Sequence, residues 1–305
     1  MEFEALTPKI GMFHHNTNIG IFCTNNDLYL IDTGSSEKDG KCLLSNIKDL
    51  FPNKQIKAIL NTHSHSDHCG GNAFIKKETG CEVWAAQKES LLMQIPEAMS
   101  FIYWGGFPIE ELQSQKFITQ DSTFIEKILK EEQIDLGEIK ITCISLPGHC
   151  FDQLGYVVLD VKANKSVFFL GDGFFGASFL KKYWIPFMYN PQLFRDSVKK
   201  IEETFADIFV PSHGDTYNSE NIHAIAELNV IVTLETETLI LKTLKKASLT
   251  TEELLEAVAD FAGIDLRLSQ FILIGCTLRS YLSELYNSKK ITFKIEDNRL
   301  LWSIC

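Results

Sequence analysis

A short polar stretch between an apolar run and a helix-like segment constrains this chain more than any other feature. It contains His63, His65, Asp67 and His68, and it follows residues 56–60, which are typical of a buried strand. Three of the 8 histidines in the chain stand within this stretch. A loop after a strand is where an α/β protein usually places its functional side chains. The stretch therefore predicts an α/β fold with its functional site at this loop.

The spacing within the stretch indicates how its side chains could bind metal. His63 and His65 lie two residues apart, so an extended backbone projects both imidazoles to the same side. Asp67 and His68 are adjacent and cannot both follow that direction. The simplest arrangement places one metal ion on the first pair and a second ion on the other pair. Imidazole with carboxylate suits zinc, manganese or iron better than calcium or magnesium. A polar loop with three chance histidines is the weaker alternative.

Further candidate ligands follow other predicted strands. Asp32 comes after residues 28–31, His149 and Asp172 follow two strands in the second half, and His213 follows residues 207–210. Ligands supplied by several strand ends, without closure by cysteines, are typical of a catalytic rather than a structural metal site. Asp32 either lies beneath the site and orients a ligand or stabilises an Asx-type turn.

In order and spacing, these residues resemble the metallo-β-lactamase-fold hydrolases over about residues 10–220. The resemblance implies an α/β protein with an αβ/βα four-layer sandwich, in which two mixed sheets are covered by helices. It also implies two divalent metal ions, with zinc preferred and iron or manganese as alternatives. The implied ligands are His63, His65 and His149 on one ion, Asp67, His68 and His213 on the other, and Asp172 bridging both.

Details of the motif narrow the resemblance. Class B β-lactamases place a cysteine where this chain has Asp172, and flavo-diiron oxygen reductases place a glutamate where it has His65. The full ligand set is similar to that of glyoxalase II, lactonases, phosphodiesterases and RNase Z. The basic residues with which glyoxalase II binds glutathione are not evident in this sequence.

Two aromatic segments flank the predicted ligands. Residues 86–130 break the strand–helix rhythm and surround a Gly-Gly-Phe-Pro sequence, and a second aromatic loop follows Asp172. The first segment could form either a lid or pocket wall over the site or, equally, a satellite hydrophobic cluster, and the second is expected to be an aromatic loop. Tyr183 or Tyr103 could donate a hydrogen bond to a developing oxyanion. Catalytic roles are therefore predicted for Asp67, Asp32 and Tyr183.

The chain is predicted to divide into a catalytic domain, residues 1–227, and a small helical, winged-helix-like C-terminal domain, residues 228–305. The C-terminal part contains three predicted helices and a β-hairpin. Its last helix has apolar residues at helical spacing that must be buried: Phe271, Ile274, Leu278, Leu282 and Leu285. We expect this part to pack on the catalytic domain or on a second subunit and to help wall the active site. A homodimer is therefore left open.

Charge and hydrophobicity argue against nucleic acids and membranes as general partners. The formal net charge is -11, which opposes general nucleic-acid binding without excluding a local basic site. No apolar run approaches the roughly 18 residues that span a bilayer, so no membrane partner is expected. The acidic N-terminus is unlike a signal peptide, and the 8 cysteines show no CxxC pairing. These features predict a cytoplasmic protein.

The predicted function is a metal-dependent hydrolase that acts on a small-molecule substrate. Two metals roughly 3.5–4 Å apart would bridge a water molecule and lower its pKa to near 7, giving a hydroxide nucleophile. The aromatic loops and acidic surface favour an ester, thioester or lactone of a partly apolar molecule. The alternative is a phosphodiesterase or ribonuclease, which the winged-helix-like tail favours and the charge opposes. A third reading, a ligand-binding regulator, conflicts with the complete ligand set.

Overall fold

The computed structural model describes residues 1–113, 121–182 and 185–305. A seven-stranded sheet forms the first half of the fold. In spatial order it contains β1 (Glu2–Ala5), β2 (Ile10–His14), β3 (Ile19–Cys23), β4 (Asp27–Ile31), β5 (Gln55–Leu60), β6 (Glu82–Ala86) and β7 (Lys127–Leu129). Strands β1 to β4 pair antiparallel, whereas β4 to β7 pair parallel. The carboxyl ends of β4, β5 and β6 therefore meet at one edge.

A six-stranded sheet forms the second half. In sequence order it contains β8 (Gln133–Asp135), β9 (Ile139–Ser145), β10 (Leu154–Asp160), β11 (Lys165–Gly171), β12 (Ile208–Pro211) and β13 (Tyr217–Asn218). Its one parallel pair is β11 with β12, and the other pairs are antiparallel. The carboxyl ends of β11 and β12 therefore also share an edge.

Helices cover the outer faces of both sheets. The helices of the first half are α1 (Glu37–Leu50), α2 (Ser66–Cys69), α3 (Asn72–Thr79), α4 (Gln87–Gln94), α5 (Ala98–Trp104) and α6 (Glu110–Gln113). Those of the second half are α7 (Ala177–Lys182), α8 (Pro191–Glu203) and the start of α9 (Ile222–Leu244). Local caps fix where helices begin: the Ser36 side chain accepts from Asp39 N–H at α1, and Asn190 accepts from Leu193 N–H at α8.

The main core lies between the two sheets. Tyr29, Ile31 and Leu60 of the first sheet share a buried cluster with Ile141 and Tyr156 of the second. Separate buried clusters join the first sheet to α1 and α3, and the second sheet to α8 and α9. The layers are thus helix, sheet, sheet and helix, which confirms the predicted αβ/βα sandwich. Strands that are buried on both faces explain the near-continuous apolar runs in the sequence.

The C-terminal part contains α10 (Thr251–Ala262), α11 (Leu268–Asn287) and a hairpin of β14 (Ile291–Glu296) and β15 (Arg299–Ile304). These elements share a buried cluster with the end of α9. The predicted boundary at residue 227 lies inside α9, whose start packs on the second sheet and whose end packs on the tail.

Helix α11 packs against the catalytic part, as predicted. Thr277 Oγ1 accepts a hydrogen bond from Met188 N–H at 3.1 Å, and the Cys276 thiol lies 3.3 Å from the Tyr103 carbonyl oxygen. Ile272 is buried in a cluster with Met99 of α5. Within the described residues, no helix is both long and apolar enough to cross a bilayer.

Two expectations are corrected. Residues 86–130 were expected to break the strand–helix rhythm, but their described part contains α4, α5, α6 and β7. These helices have 8 residues or fewer, so too few turns exist for a helical period to stand out. Phe271 was expected to be buried, but it is 43% exposed, because the buried stripe of α11 runs through Ile272 instead.

Candidate metal centre

The predicted ligands meet where the carboxyl ends of parallel strands from both sheets come together. The stretch with His63 follows β5, and Asp32 follows β4. From the second sheet, Asp172 follows β11, His213 follows β12, and His149 lies in the connection between β9 and β10. The side chains come from loops at one edge, as the sequence predicted, because parallel strands deliver their carboxyl ends to the same edge.

Three imidazoles form the first group. His65 Nδ1 lies 3.1 Å from His63 Nε2 and 3.0 Å from His149 Nε2. The Phe187 carbonyl oxygen lies 2.8 Å from His149 Nδ1, so that nitrogen carries the proton and Nε2 presents its lone pair to the other rings. Burial lowers the pKa of His65 to about 4, and with the neighbouring imidazoles it pushes that of His63 and His149 well below its ordinary value. Neutral imidazoles are the form that binds metal.

Asp67, His68 and His213 form the second group. Asp67 Oδ2 lies 3.3 Å from His213 Nε2 and 3.7 Å from His68 Nε2. The other nitrogen of His213, Nδ1, lies 3.1 Å from the Asn16 carbonyl oxygen. Potential ligand atoms of these three residues all lie within 4.8 Å of one another, a spacing that could hold a cation.

Asp172 lies between the two groups. Its carboxylate oxygens lie 3.4 Å from His149 Nε2 and 3.5 Å from both His68 Nε2 and His213 Nε2. Among the described residues, Asp172 Oδ1 and His68 Nε2 are buried without any hydrogen-bond partner. Unpaired buried polar atoms that face each other are costly unless a third group binds them.

Asp32 lies beneath His68 rather than capping a turn. Its backbone φ is +63°, in the left-handed region that aspartate tolerates better than most residues. Thr62 donates to its carboxylate from both N–H, at 2.9 Å, and Oγ1, at 2.8 Å. Asn61 Nδ2 donates to Oδ1 at 3.4 Å, and His68 Nδ1 lies 2.9 Å from Asp32 Oδ2. This contact directs His68 Nε2 towards the other ligands, which supports the orienting alternative.

Asp32 and Asp172 place buried negative charge beside His68 of the second group. Burial by itself lowers the pKa of His68, but the carboxylates of Asp67, Asp172 and Asp32 outweigh it and raise this pKa to about 10. The cluster thus draws a positive charge into a fully buried position. A divalent cation between the same groups would supply that charge and leave the imidazole neutral.

Three further residues contact the site: Tyr103, which the sequence analysis proposed as a hydrogen-bond donor, and Glu89 and Cys150, which it did not identify. Tyr103 of α5 places its hydroxyl 3.0 Å from His65 Nε2, so it contacts a ligand directly. Glu89 of α4 is buried and accepts hydrogen bonds from Ser64 N–H and Oγ, which fixes the loop between His63 and His65. Cys150 Sγ lies 3.4 Å from His65 Nε2. Tyr183, the predicted oxyanion donor, lies outside the described residues.

Five of the seven candidate ligands line a cavity of about 490 Å³: His65, Asp67, His149, Asp172 and His213. Phe175, Phe179 and Phe187 of the second aromatic segment line this cavity, and from the first segment Tyr103 lines it. Leu273 and Ile274 of α11 line it as well, so the tail does help to wall the site.

The fold and the site define a metal-dependent hydrolase. Residues 13–213 match the model of the metallo-beta-lactamase superfamily, and the chain belongs to that family.

Individual relatives agree with this assignment over parts of their length. The chain is 29% identical over 122 residues to the mitochondrial hydroxyacylglutathione hydrolase of Saccharomyces cerevisiae, covering 40% of this chain and 34% of that protein. It is 28% identical over 170 residues to the hydroxyacylglutathione hydrolase GloC of Haemophilus influenzae, covering 54% and 69%. The match thus spans about a third of the yeast relative.

Two solved structures are similar over nearly the whole chain. A beta-lactamase domain protein from Burkholderia ambifaria has a TM-score of 0.77 at 13% identity, covering 100% of this chain and 94% of its own. A metallo-beta-lactamase family protein from Thermus thermophilus has a TM-score of 0.75 at 16% identity, covering 99% and 100%. These likenesses establish the fold, including the tail.

Proposed function

We propose that this protein hydrolyses carboxylic thioesters, and related esters or lactones, of small, partly apolar molecules. The observation that carries the proposal is the convergence of imidazole and carboxylate groups on the floor of a partly apolar cavity. The relatives named hydroxyacylglutathione hydrolases support thioester chemistry in particular. The acidic net charge of -11 favours a small molecule over nucleic acid.

We propose two divalent cations, preferably zinc, for this centre. His63, His65 and His149 would hold one ion, and Asp67, His68 and His213 the other, with the Asp172 carboxylate between them. The donor set fits because its nitrogens are neutral in the first group, and because Asp172 Oδ1 and His68 Nε2 are buried without a hydrogen-bond partner among the described residues. A bound divalent cation polarises a carbonyl oxygen and makes water more acidic.

The residues of the chain would position the reaction and move its proton. Water forms a new C–O bond at the acyl carbon while the C–S bond breaks, which gives a carboxylic acid and a thiol. Asp67 is partly exposed and faces the cavity, so its carboxylate is placed to take a proton from the attacking water and deliver it to the leaving sulfur. Asp32 keeps His68 in place throughout, and the aromatic wall excludes bulk water.

A panel of three substrates tests the proposed function. The purified protein is offered a butyryl thioester of N-acetylcysteamine, an aliphatic lactone, and bis-p-nitrophenyl phosphate. We expect thioester and lactone hydrolysis that chelation abolishes and that zinc restores. Turnover of the phosphodiester alone would contradict the proposal and favour the nuclease alternative. Binding of the thioester or the lactone without turnover would favour a ligand-binding regulator.

Metal content provides a separate prediction. We expect about two divalent ions per chain in protein purified without chelator, measured by elemental analysis, because two donor groups share one carboxylate. His149→Ala should lower that content, since it removes a nitrogen of the first group. His223→Ala is the matched control, because this exposed histidine pairs with Glu202 away from the site. One ion or none in metal-replete wild-type protein would refute the dinuclear centre.

The cysteines support the predicted compartment. All eight are free thiols, including Cys69, Cys81, Cys143 and Cys150, which are buried. Free thiols persist in reducing compartments. We therefore propose a cytoplasmic location.

A further inference from the structure

Two cavities meet at the candidate metal centre. We call the cavity beneath the tail the covered lobe, with a volume of about 490 Å³, and the cavity outside it the open lobe, with about 570 Å³. Asp67, Phe179, Lys182 and His213 line both. A single molecule that lies across the centre would therefore place one end in each lobe.

The covered lobe is mostly apolar above its floor, and Ser269 and Gln270 are polar residues of the tail that also line it. The rings of Phe175, Phe179 and Phe187 form one wall. Ile264, Leu273 and Ile274 of the tail form the opposite wall. The floor of this lobe includes His65 and His149, which belong to the first donor group. An apolar chain placed between these walls would be removed from water on both sides.

The open lobe is polar and adjoins the second donor group. Hydroxyl and amide groups line it: Asn16, Thr17, Ser35, Ser66 and Ser178. Among the described residues that line either lobe, Lys182 is the one lysine or arginine. Asp67 and His213 border this lobe, whereas His65 and His149 border only the covered one. The two ends of a substrate would therefore meet opposite chemistry.

We infer that the substrate is a thioester with an apolar, medium-length acyl chain and a polar thiol. The acyl chain occupies the covered lobe between the phenylalanine rings and α11. The thiol part occupies the open lobe, next to Asp67, which delivers a proton to the leaving sulfur. The inference rests on the proposed thioester hydrolysis and adds the orientation and the chemical class of each end.

Two series of substrates test the orientation. In the first, N-acetylcysteamine thioesters carry acyl chains from acetyl to octanoyl. Burial of each methylene is expected to raise kcat/KM about threefold to fourfold until the lobe is full. In the second, acetyl thioesters carry alkyl thiols of increasing length, and no such rise is expected. A rise in the second series instead would reverse the orientation and overturn the inference.

The outcomes separate the inference from the proposed function. Turnover of every acyl chain at the same rate would refute the covered lobe as an acyl site and leave thioester hydrolysis standing. Absence of turnover for every thioester would refute the proposed function itself.

Substitutions on α11 provide the matched test. Leu273→Trp fills the covered lobe, so kcat/KM for the octanoyl substrate should fall at least about tenfold more than for the acetyl substrate, as lost burial of two methylenes predicts. Phe271→Ala on the same helix is the control, because Phe271 is 43% exposed and does not line the lobe. Octanoate binding, measured by calorimetry, should weaken in Leu273→Trp and not in the control.

The smaller substitution Leu273→Ala guards against misfolding of the tryptophan variant. It removes apolar contact without added bulk, and thermal melting reports whether the fold persists. Its octanoyl preference should fall in the same direction. Equal losses for acetyl and octanoyl substrates in both variants would overturn the inference.

Discussion

Asp172→Asn is expected to lower kcat/KM for a thioester by at least about a thousandfold, because several kcal/mol of metal-assisted charge stabilisation would be lost. The carboxylate of Asp172 lies 3.4–3.5 Å from Nε2 of His68, His149 and His213, so its negative charge contacts both donor groups. The amide keeps the shape of the side chain but not its charge. Kinetics and elemental analysis should report lost activity together with lost metal.

The control for this substitution is Asp196→Asn. Asp196 lies on the exposed face of α8, where its carboxylate accepts a hydrogen bond from Gln192. This variant should match the wild type in activity, in metal content and in circular dichroism. Wild-type activity with full metal content in Asp172→Asn would remove Asp172 from the centre.

Deletion of residues 228–305 is expected to give an aggregating, inactive protein. The cut falls within α9 and removes α11. Ile272 of α11 packs in a buried cluster with Leu92, Met99 and Leu112, which would lose this cover. Exposing three such side chains costs up to about 5–9 kcal/mol. That cost is comparable with the entire stability of a typical domain, about 5–15 kcal/mol. Light scattering and hydrolysis of a small ester measure the two effects.

A single substitution tests the packing of α11 without deleting the C-terminal part. Ile272→Ala should destabilise the full chain by about 2–5 kcal/mol, because a buried side chain is lost. Phe271→Ala, its exposed neighbour, should stay within about 0.5 kcal/mol of the wild type if it makes no buried contact. A truncated protein that is soluble and hydrolyses small esters, but loses salt-sensitive RNA binding of the full chain, would instead favour the nuclease alternative.

The regular strands and long helices could be predicted from the sequence because their signals are local. Strands β10 and β15 are apolar runs that adjoin turn sequences, and both are strands in the structure. The capping box at Thr250 and Glu253, which begins α10, is likewise present. Strand β1 has no such local signal, because it is short and mostly exposed and gains its definition from pairing with β2.

The convergence of the candidate ligands could be predicted because they form a dense motif at strand ends. Their supporting contacts could not, since those depend on residues that are distant in the sequence. Glu89 holds Ser64 across 25 residues, and Tyr103 reaches His65 across 38. Neither contact produces a pattern in the local sequence that would predict it. The role predicted for Tyr183 stays a prediction.

The division of the ligands between the two halves has a thermodynamic consequence. The half of the fold with the first sheet supplies His63, His65, Asp67 and His68. The half with the second sheet supplies His149, Asp172 and His213. Each proposed ion therefore has ligands from both halves and binds fully only when the sheets are docked. At about a hundred times its Kd, an ion that binds only the folded chain adds about 2.7 kcal/mol to the free energy of unfolding. Metal supply would then govern both the turnover of substrate and the free energy that keeps the two halves docked.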